Sequence, residues 1–209
     1  MGSNIPTIPV YVINLDHRAD RWELIKKQCF SCGIHPIRVS AVKASPGWHG
    51  CGLSHKKVAE MAKKAGHMWY MVLEDDATFS TNDWNNFMAI TPFLWNNKEK
   101  WDIFTGGTGI PSYIELITKN PILYHIKGPC THFLLVQQNA YKSIMNWTIE
   151  FGHFDHYLKE NTKMVGTYPF ISMQLVNQSD INIGDPVYEL ENGQTAIKAY
   201  LDSKLNSIK

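Results

Sequence analysis

Apolar runs and helix-period stripes alternate along the first half of the chain. Ile8 to Asn14 is an apolar run opening at Pro6 and Pro9, the pattern of a strand buried on both faces. Asp20 is placed to cap a helix that reaches about Cys32 and stops at Gly33. Ile37 to Val42 reads as a second strand. Gly50-Cys51-Gly52 then precedes a helix whose Val58, Met61, Ala62 and Ala65 form one stripe, with Gly66 as its stop. Met68 to Leu73 is a third strand, and it runs straight into Glu74-Asp75-Asp76. Alternating strands and helices of this kind predict an α/β fold on a parallel sheet, with sites at the carboxyl ends of the strands.

The second half is less regular. Asp83 is a candidate cap for a helix to about Trp95, and Trp101 to Phe104 is a short strand before the loop Thr105-Gly106-Gly107-Thr108-Gly109. Further strands are expected at Ile122–Ile126, His132–Val136 and Tyr168–Val176, with a helix over Asn139–Trp147. Ile197, Tyr200, Leu201, Leu205 and Ile208 recur at helical spacing and predict a tail helix over about 195–208, expected to dock on its own domain. Nothing marks an internal repeat or linker, so 1–209 reads as a single domain.

Composition narrows the class. Hydrophobic residues make up 44% and charged residues 19% of 209, which is globular. The net charge of +1 lacks the basic footprint of a nucleic-acid binder. No run approaches the roughly 18 apolar residues of a membrane span. The expectation is therefore a cytoplasmic chain, or a catalytic domain of a longer enzyme, with peripheral contact at the cytoplasmic face of a membrane as the variant reading. Of the four cysteines, Cys29-x-x-Cys32 could join His49, Cys51 or His55 in a zinc or redox site. Trp22, Ile25, Cys29 and Cys32 share helical spacing, however, and an apolar helix face explains the pair more simply.

The sharpest chemistry lies in Glu74-Asp75-Asp76. Three carboxylates at the end of a buried strand repel one another, and a hard divalent cation such as Mg²⁺ or Mn²⁺ offsets that cost. If strand geometry persists, Glu74 and Asp76 face one side and Asp75 the other. A solvated acidic turn is the plainer alternative. A phosphoacceptor receiver domain is disfavoured because the later strands end in Thr105 and Lys127, without the further Asp it needs. Asn14 and Asp16 close the first strand and could bond a base or ribose, while Arg18 and Arg21 follow one turn later, suited to phosphate or the acidic cluster. Read blandly, Asp16 and Asp20 start a helix that the arginines decorate. Gly50-Cys51-Gly52-Leu53-Ser54-His55 opens a helix, where free N–H groups favour an anion, but it lacks the Lys-Ser/Thr ending of a P-loop. Ser54 and His55 are adjacent on a helix and cannot act as nucleophile and base, although His55 could contact phosphate. Asp155, between His153-Phe154 and His156, is either a general base or a helix cap.

In this order the pieces resemble glycosyltransferase family 25, the lipooligosaccharide and collagen galactosyltransferase-like enzymes. The matching stretches are Val10 to Asp16 with Arg18, Asp20 and Arg21, then Gly50 to His55, then Leu73 to Asp76. Weaker matches follow at Thr131-His132-Phe133-Leu134 with Ala140, at Asp155 with Leu158, and from Pro169 through Gln174 to Ser179-Asp180-Ile181. Together they span about residues 8–181. The resemblance implies a GT-A-like, Rossmann-type nucleotide-sugar-binding domain with a mixed, mostly parallel sheet. It also implies inverting transfer of a hexose, galactose or glucose, from a UDP-sugar to a glycan or glycoconjugate hydroxyl, assisted by Mn²⁺ or Mg²⁺. Asp76 would be the main metal ligand, with Glu74 or Asp75 reaching ribose or a second metal position. Asn14, Asp16, Arg18, Arg21 and His55 fall on donor-side motifs, and Ser179 and Asp180 would close the site near the diphosphate. Asp155 is the candidate base. The chain is short for the family, and Val42-Lys43-Ala44 stands where many members carry an acidic residue and a glycine, which points to a different donor preference. A catalytically inactive sugar-nucleotide or glycan-binding module is the alternative from another class, and a divalent-metal phosphotransferase a third.

Overall fold

The computed structural model describes residues 5–175 and 186–206. Strand β1 (Val10–Asn14) leads into helix α1 (Ala19–Ser31), strand β2 (Ile37–Ser40), helix α2 (Gly47–Lys64) and strand β3 (Trp69–Glu74). After them come β4 (Ala77–Thr78), α3 (Thr81–Asn96), β5 (Ile103–Thr105), β6 (Tyr113–Lys119), β7 (Ile122–Lys127) and β8 (Phe133–Gln137). Helices α4 (Tyr141–Asn146) and α5 (Phe154–Asn161), strands β9 (Met164–Gly166) and β10 (Met173–Gln174), and helix α6 (Pro186–Asn206) complete the described chain.

Eight strands form one sheet in the order β2-β1-β3-β8-β5-β9-β7-β6, and β4 pairs with β10 outside it. Strands β2, β1 and β3 are parallel, as are β5 and β9. Only β8 and β7 run against the rest, so the sheet is mixed but mostly of one direction. The alternation of side chains splits the core in two. Tyr11 and Ile13 of β1 join Val58, Ala59 and Ala62 of α2, Ile144 of α4, Leu158 of α5 and Ile197 of α6 on one face. Val10 and Val12 join Ile25 and Cys29 of α1 and Phe87, Ile90 and Leu94 of α3 on the other. Helices covering both faces are why β1 and β3 are apolar at nearly every position. The expected α/β class with helices packed on a central sheet is the observed one.

Local chemistry sets the helix ends. Ser80 caps α3 by accepting from the Asp83 N–H, and Asp83 accepts in return from the Ser80 N–H at 2.8 Å. Asp83 is thus the third residue of a capping box, not the cap. Gly33 and Gly66, both at φ +71°, end α1 and α2 in a conformation that disfavours side chains. Asp20 does not cap α1. It sits in the first turn, bonded to Arg18 at the cap position. Among the described residues, the expected strand over Tyr168–Val176 reduces to β10, with Val176 outside them, and α6 starts earlier than the tail stripe alone indicates. Helix α6 buries Leu190, Ile197 and Leu201 against the sheet side of the domain. Among the described residues, no helix is long and apolar enough to cross a membrane.

Candidate functional site

Parallel pairing brings the carboxyl ends of β1, β2 and β3 to one edge, with Ile13 beside Glu74 and Asn14 beside Ser40. Between these ends and the first turns of α2 lies a cavity of about 330 Å³. Its wall includes Glu74, Asp75 and Asp76, Arg21 and His17, the Ala41–Ala44 loop after β2, and Cys51, Ser54 and His55 of α2. The space is at the small end of the range for organic ligands, roughly 300–1,000 Å³.

Strand geometry ends at Glu74, and Asp75 and Asp76 form a turn before β4. The carboxylates therefore do not alternate as an extended strand would have them. Glu74 turns toward α2. Its Oε1 accepts from Thr131 Oγ1 at 2.6 Å, lies 3.1 Å from His55 Nε2 and receives the Cys51 thiol at 3.8 Å. Asp75 and Asp76 instead share Arg21, at 3.2 and 3.9 Å from the same nitrogen.

Asp75 is 8% exposed, and Asn14 Nδ2 donates to it at 2.7 Å. Asn14 in turn accepts from two nitrogens of Arg38 at 2.9 and 2.7 Å, and donates to the Arg18 carbonyl at 3.0 Å. Arg38 also reaches Asp16 at 3.0 Å, while Ser40 donates to Asp16 at 2.8 Å. A chain of polar contacts thus runs from the acidic turn to the end of β2. Arg38 is the residue that the sequence reading missed; its one signal was a charged residue between the apolar Ile37 and Val39.

The carboxyls differ in proton affinity for physical reasons. Burial pushes Asp76 up to about 7, reinforced by the charges of Glu74 and Asp75 and opposed by Arg21 and a long contact from Gln174 at 3.4 Å. Burial also raises Asp75, though Asn14 and Arg21 work against it. Burial acts on Glu74 in the same direction, yet the bonds from His55 and Thr131 outweigh it and hold the carboxyl below its ordinary value.

Two expectations for α2 change. The helix begins at Gly47 after Pro46, so Gly50 and Gly52 lie inside it and are not its anion-binding end. They serve close packing. A Cβ on Gly50 would meet the Val42 carbonyl at 2.5 Å, and one on Gly52 would meet the Trp147 ring at 2.3 Å. His55, 3% exposed, is turned to Glu74 and stacked on Phe154.

Of the remaining candidates, Arg18 and Asp16 lie beside the cavity and not in its wall. Arg18 pairs with Asp20, and Asp16 with Arg38. Asp155 opens α5. It accepts from the Cys130 N–H at 3.2 Å, next to the Thr131 that holds Glu74, and is not among the wall residues. Ser179 and Asp180 lie outside the described residues. Cys29 sits on α1 and Cys32 at the cap position that ends it, across the sheet from Cys51 and His55 on α2, so the four do not form one site. Cys29 is buried in the apolar core, as its helical spacing predicts, and burial pushes its thiol up to about 12.

No family model matches the sequence, and no curated protein matches it either. Among solved structures, the crystal structure of A197 from STIV is similar over 82% of this chain and 87% of its own, with a TM-score of 0.52 and 10% identity. A glycosyltransferase involved in the glycosylation of the major capsid of PBCV-1 aligns over 66% of this chain and 63% of its own, at TM-score 0.43 and 14% identity. A putative glucose-1-phosphate thymidylyltransferase from Bacillus anthracis aligns over 88% and 74%, at 0.41 and 12%. The first likeness shows the fold alone. That fold is α/β of the Rossmann type, with its cavity at the carboxyl ends of the parallel strands.

Proposed function

We propose that the chain is an inverting, divalent-metal-dependent glycosyltransferase that moves a hexose from a nucleotide diphosphate sugar, UDP-linked, to a glycan or glycoconjugate hydroxyl. The observation that carries this reading is the run Glu74-Asp75-Asp76 at the end of a parallel strand, facing one cavity with the ends of β1 and β2. Asp76 favours a cation at that place: burial and two neighbouring carboxylates raise it, and Arg21 stands 3.9 Å away. Such a carboxylate is short of positive charge, which suits Mn²⁺ or Mg²⁺.

Asp76 would hold the metal, with Glu74 or Asp75 beside it. A bound cation supplies charge neutralisation for the departing diphosphate. Asn14 keeps Asp75 and Arg38 in place, so the wall that meets the nucleoside is fixed before the donor arrives. Asp16, the exposed Lys43 and the Ala41–Ala44 loop border the region for base and ribose, and Arg21 and His17 supply cationic and polar groups for phosphate. Asp155 accepts the acceptor hydroxyl's proton as that oxygen bonds to the anomeric carbon and the bond to the diphosphate breaks. Two backbone N–H groups, of Cys130 and His156, orient its carboxylate.

The test is a pair of variants. Asp76→Asn is expected to weaken nucleotide-sugar binding sharply, as excess chelator does for the wild type. Asp155→Asn is expected to lower turnover by roughly 10²-fold or more with donor binding nearly intact. Unchanged donor affinity in Asp76→Asn refutes the metal assignment. Donor binding and turnover that fall together in Asp155→Asn make that residue structural.

A further inference from the structure

One side of the cavity carries ligands of a different chemistry from the Asp76 turn. Cys51 and His55 are four residues apart on α2, so both project from one helix face, and β3 ends by delivering Glu74 opposite them. The sulfur, the imidazole nitrogen and the carboxylate oxygen all lie within 4.8 Å of one another. His55 Nε2 stands 3.1 Å and Cys51 Sγ 3.8 Å from the same Glu74 oxygen. Ligands about 2.0–2.3 Å from one tetrahedral zinc stand about 3.3–3.6 Å apart, a spacing that the two separations from the Glu74 oxygen bracket.

We propose that Cys51, His55 and Glu74 form a binding site for a borderline-soft divalent cation, Zn²⁺, whose two α2 ligands take no part in the hard-cation position at Asp76 and which shares no residue with it but Glu74. Thiolate, imidazole and carboxylate together select zinc over Mn²⁺ or Mg²⁺, which avoid sulfur. All three residues line the cavity, so the fourth position opens to solvent, as in zinc sites that retain an exchangeable water. The supporting contacts are built in. Phe154 stacks on the His55 ring with centroids 5.1 Å apart, and Thr131 donates to the Glu74 oxygen at 2.6 Å. Binding displaces the Sγ proton to solvent, the proton on His55 Nε2 leaves that nitrogen for solvent or for Nδ1, and two metal bonds replace the His55–Glu74 hydrogen bond.

Cobalt(II) is the spectroscopic stand-in for zinc. Titrating the full chain with Co²⁺ is expected to produce sulfur-to-cobalt charge-transfer absorption that Zn²⁺ abolishes by displacement. Cys51→Ser is expected to remove that absorption, His55→Ala to weaken Co²⁺ binding at least about 10-fold, and Asp76→Asn to leave both unchanged. In the wild type, peptide mapping after alkylation is expected to show Zn²⁺ slowing modification of Cys51 at least about 10-fold, which decides the matter even if Cys51→Ser fails to fold. Absence of the charge-transfer band at saturating Co²⁺, its persistence in Cys51→Ser, or unprotected Cys51 overturns the proposal. These readouts involve no sugar nucleotide, so they stand or fall independently of the transferase reading.

Discussion

Asp76→Asn tests the physical state of the acidic turn without reference to any substrate. Asp76 is raised from 3.8 to about 7 chiefly by burial. Over about three pH units this corresponds to a ceiling of about 4 kcal/mol in favour of the neutral acid. The sign follows from proton counting. Between about pH 4 and pH 7 the folded chain keeps a proton that the unfolded chain has released, so stability falls as pH rises through that window and stays low above it. Asparagine keeps the size and removes the charge. Relaxation of the carboxylate toward the cavity reduces the ceiling, and we expect the variant to be more stable by about 1–3 kcal/mol at pH 8, or roughly 3–10 °C in Tm. The assay is thermal unfolding of both proteins at pH 5 and pH 8 in chelator. Their Tm values should lie closer together at pH 5, early in that window, and separate further at pH 8. Adding Mn²⁺ at pH 8 should raise the wild type alone. A variant less stable at pH 8, or a gap equal at both pH values, refutes the reasoning.

Four further outcomes follow from packing and buried hydrogen bonds. Gly52→Ala places a methyl 2.3 Å from the Trp147 ring and should destabilise the fold by about 1–3 kcal/mol by denaturant titration; an unchanged midpoint would mean that α2 and Trp147 do not meet this closely. Asn14→Ala strips a buried bridge from both Asp75 and Arg38 and should cost about 1–3 kcal/mol, read by the same titration, whereas a neutral result would dissolve the polar chain from Asp75 to β2. Ile197→Ala, fully buried in α6, should cost about 2–5 kcal/mol, and deleting 195–209 should lower Tm without abolishing donor binding; a truncated chain with the wild-type Tm that no longer associates with anionic vesicles would make the tail an anchor.

What could be read from the sequence follows from how each signal is carried. Strands β1 and β3 are buried on both faces, so their positions are apolar and their carboxyl ends stand out as Asn14 and Glu74-Asp75-Asp76. Strand β6 hid because Tyr113 and Ile117 point outward with Glu115, which blurs the alternation. Strand β9, three residues long, is too short to show a period. The start of α2 was illegible for another reason. Gly47, Gly50 and Gly52 read as loop by propensity, yet contact with Val42 and Trp147 selects helix there. The acidic cluster was legible as residues and not as geometry, because the turn at Asp75 depends on Arg21 and Asn14 from distant parts of the chain.

A sugar nucleotide held by a metal at Asp76 is the core of the proposed function. Incubating the chain with a panel of nucleotide sugars and measuring nucleoside diphosphate release tests it directly. Release is expected from at least one UDP-hexose with Mn²⁺ or Mg²⁺, lost in excess chelator and in Asp76→Asn. Absence of both binding and hydrolysis across the panel, or release that persists in chelator, would contradict it.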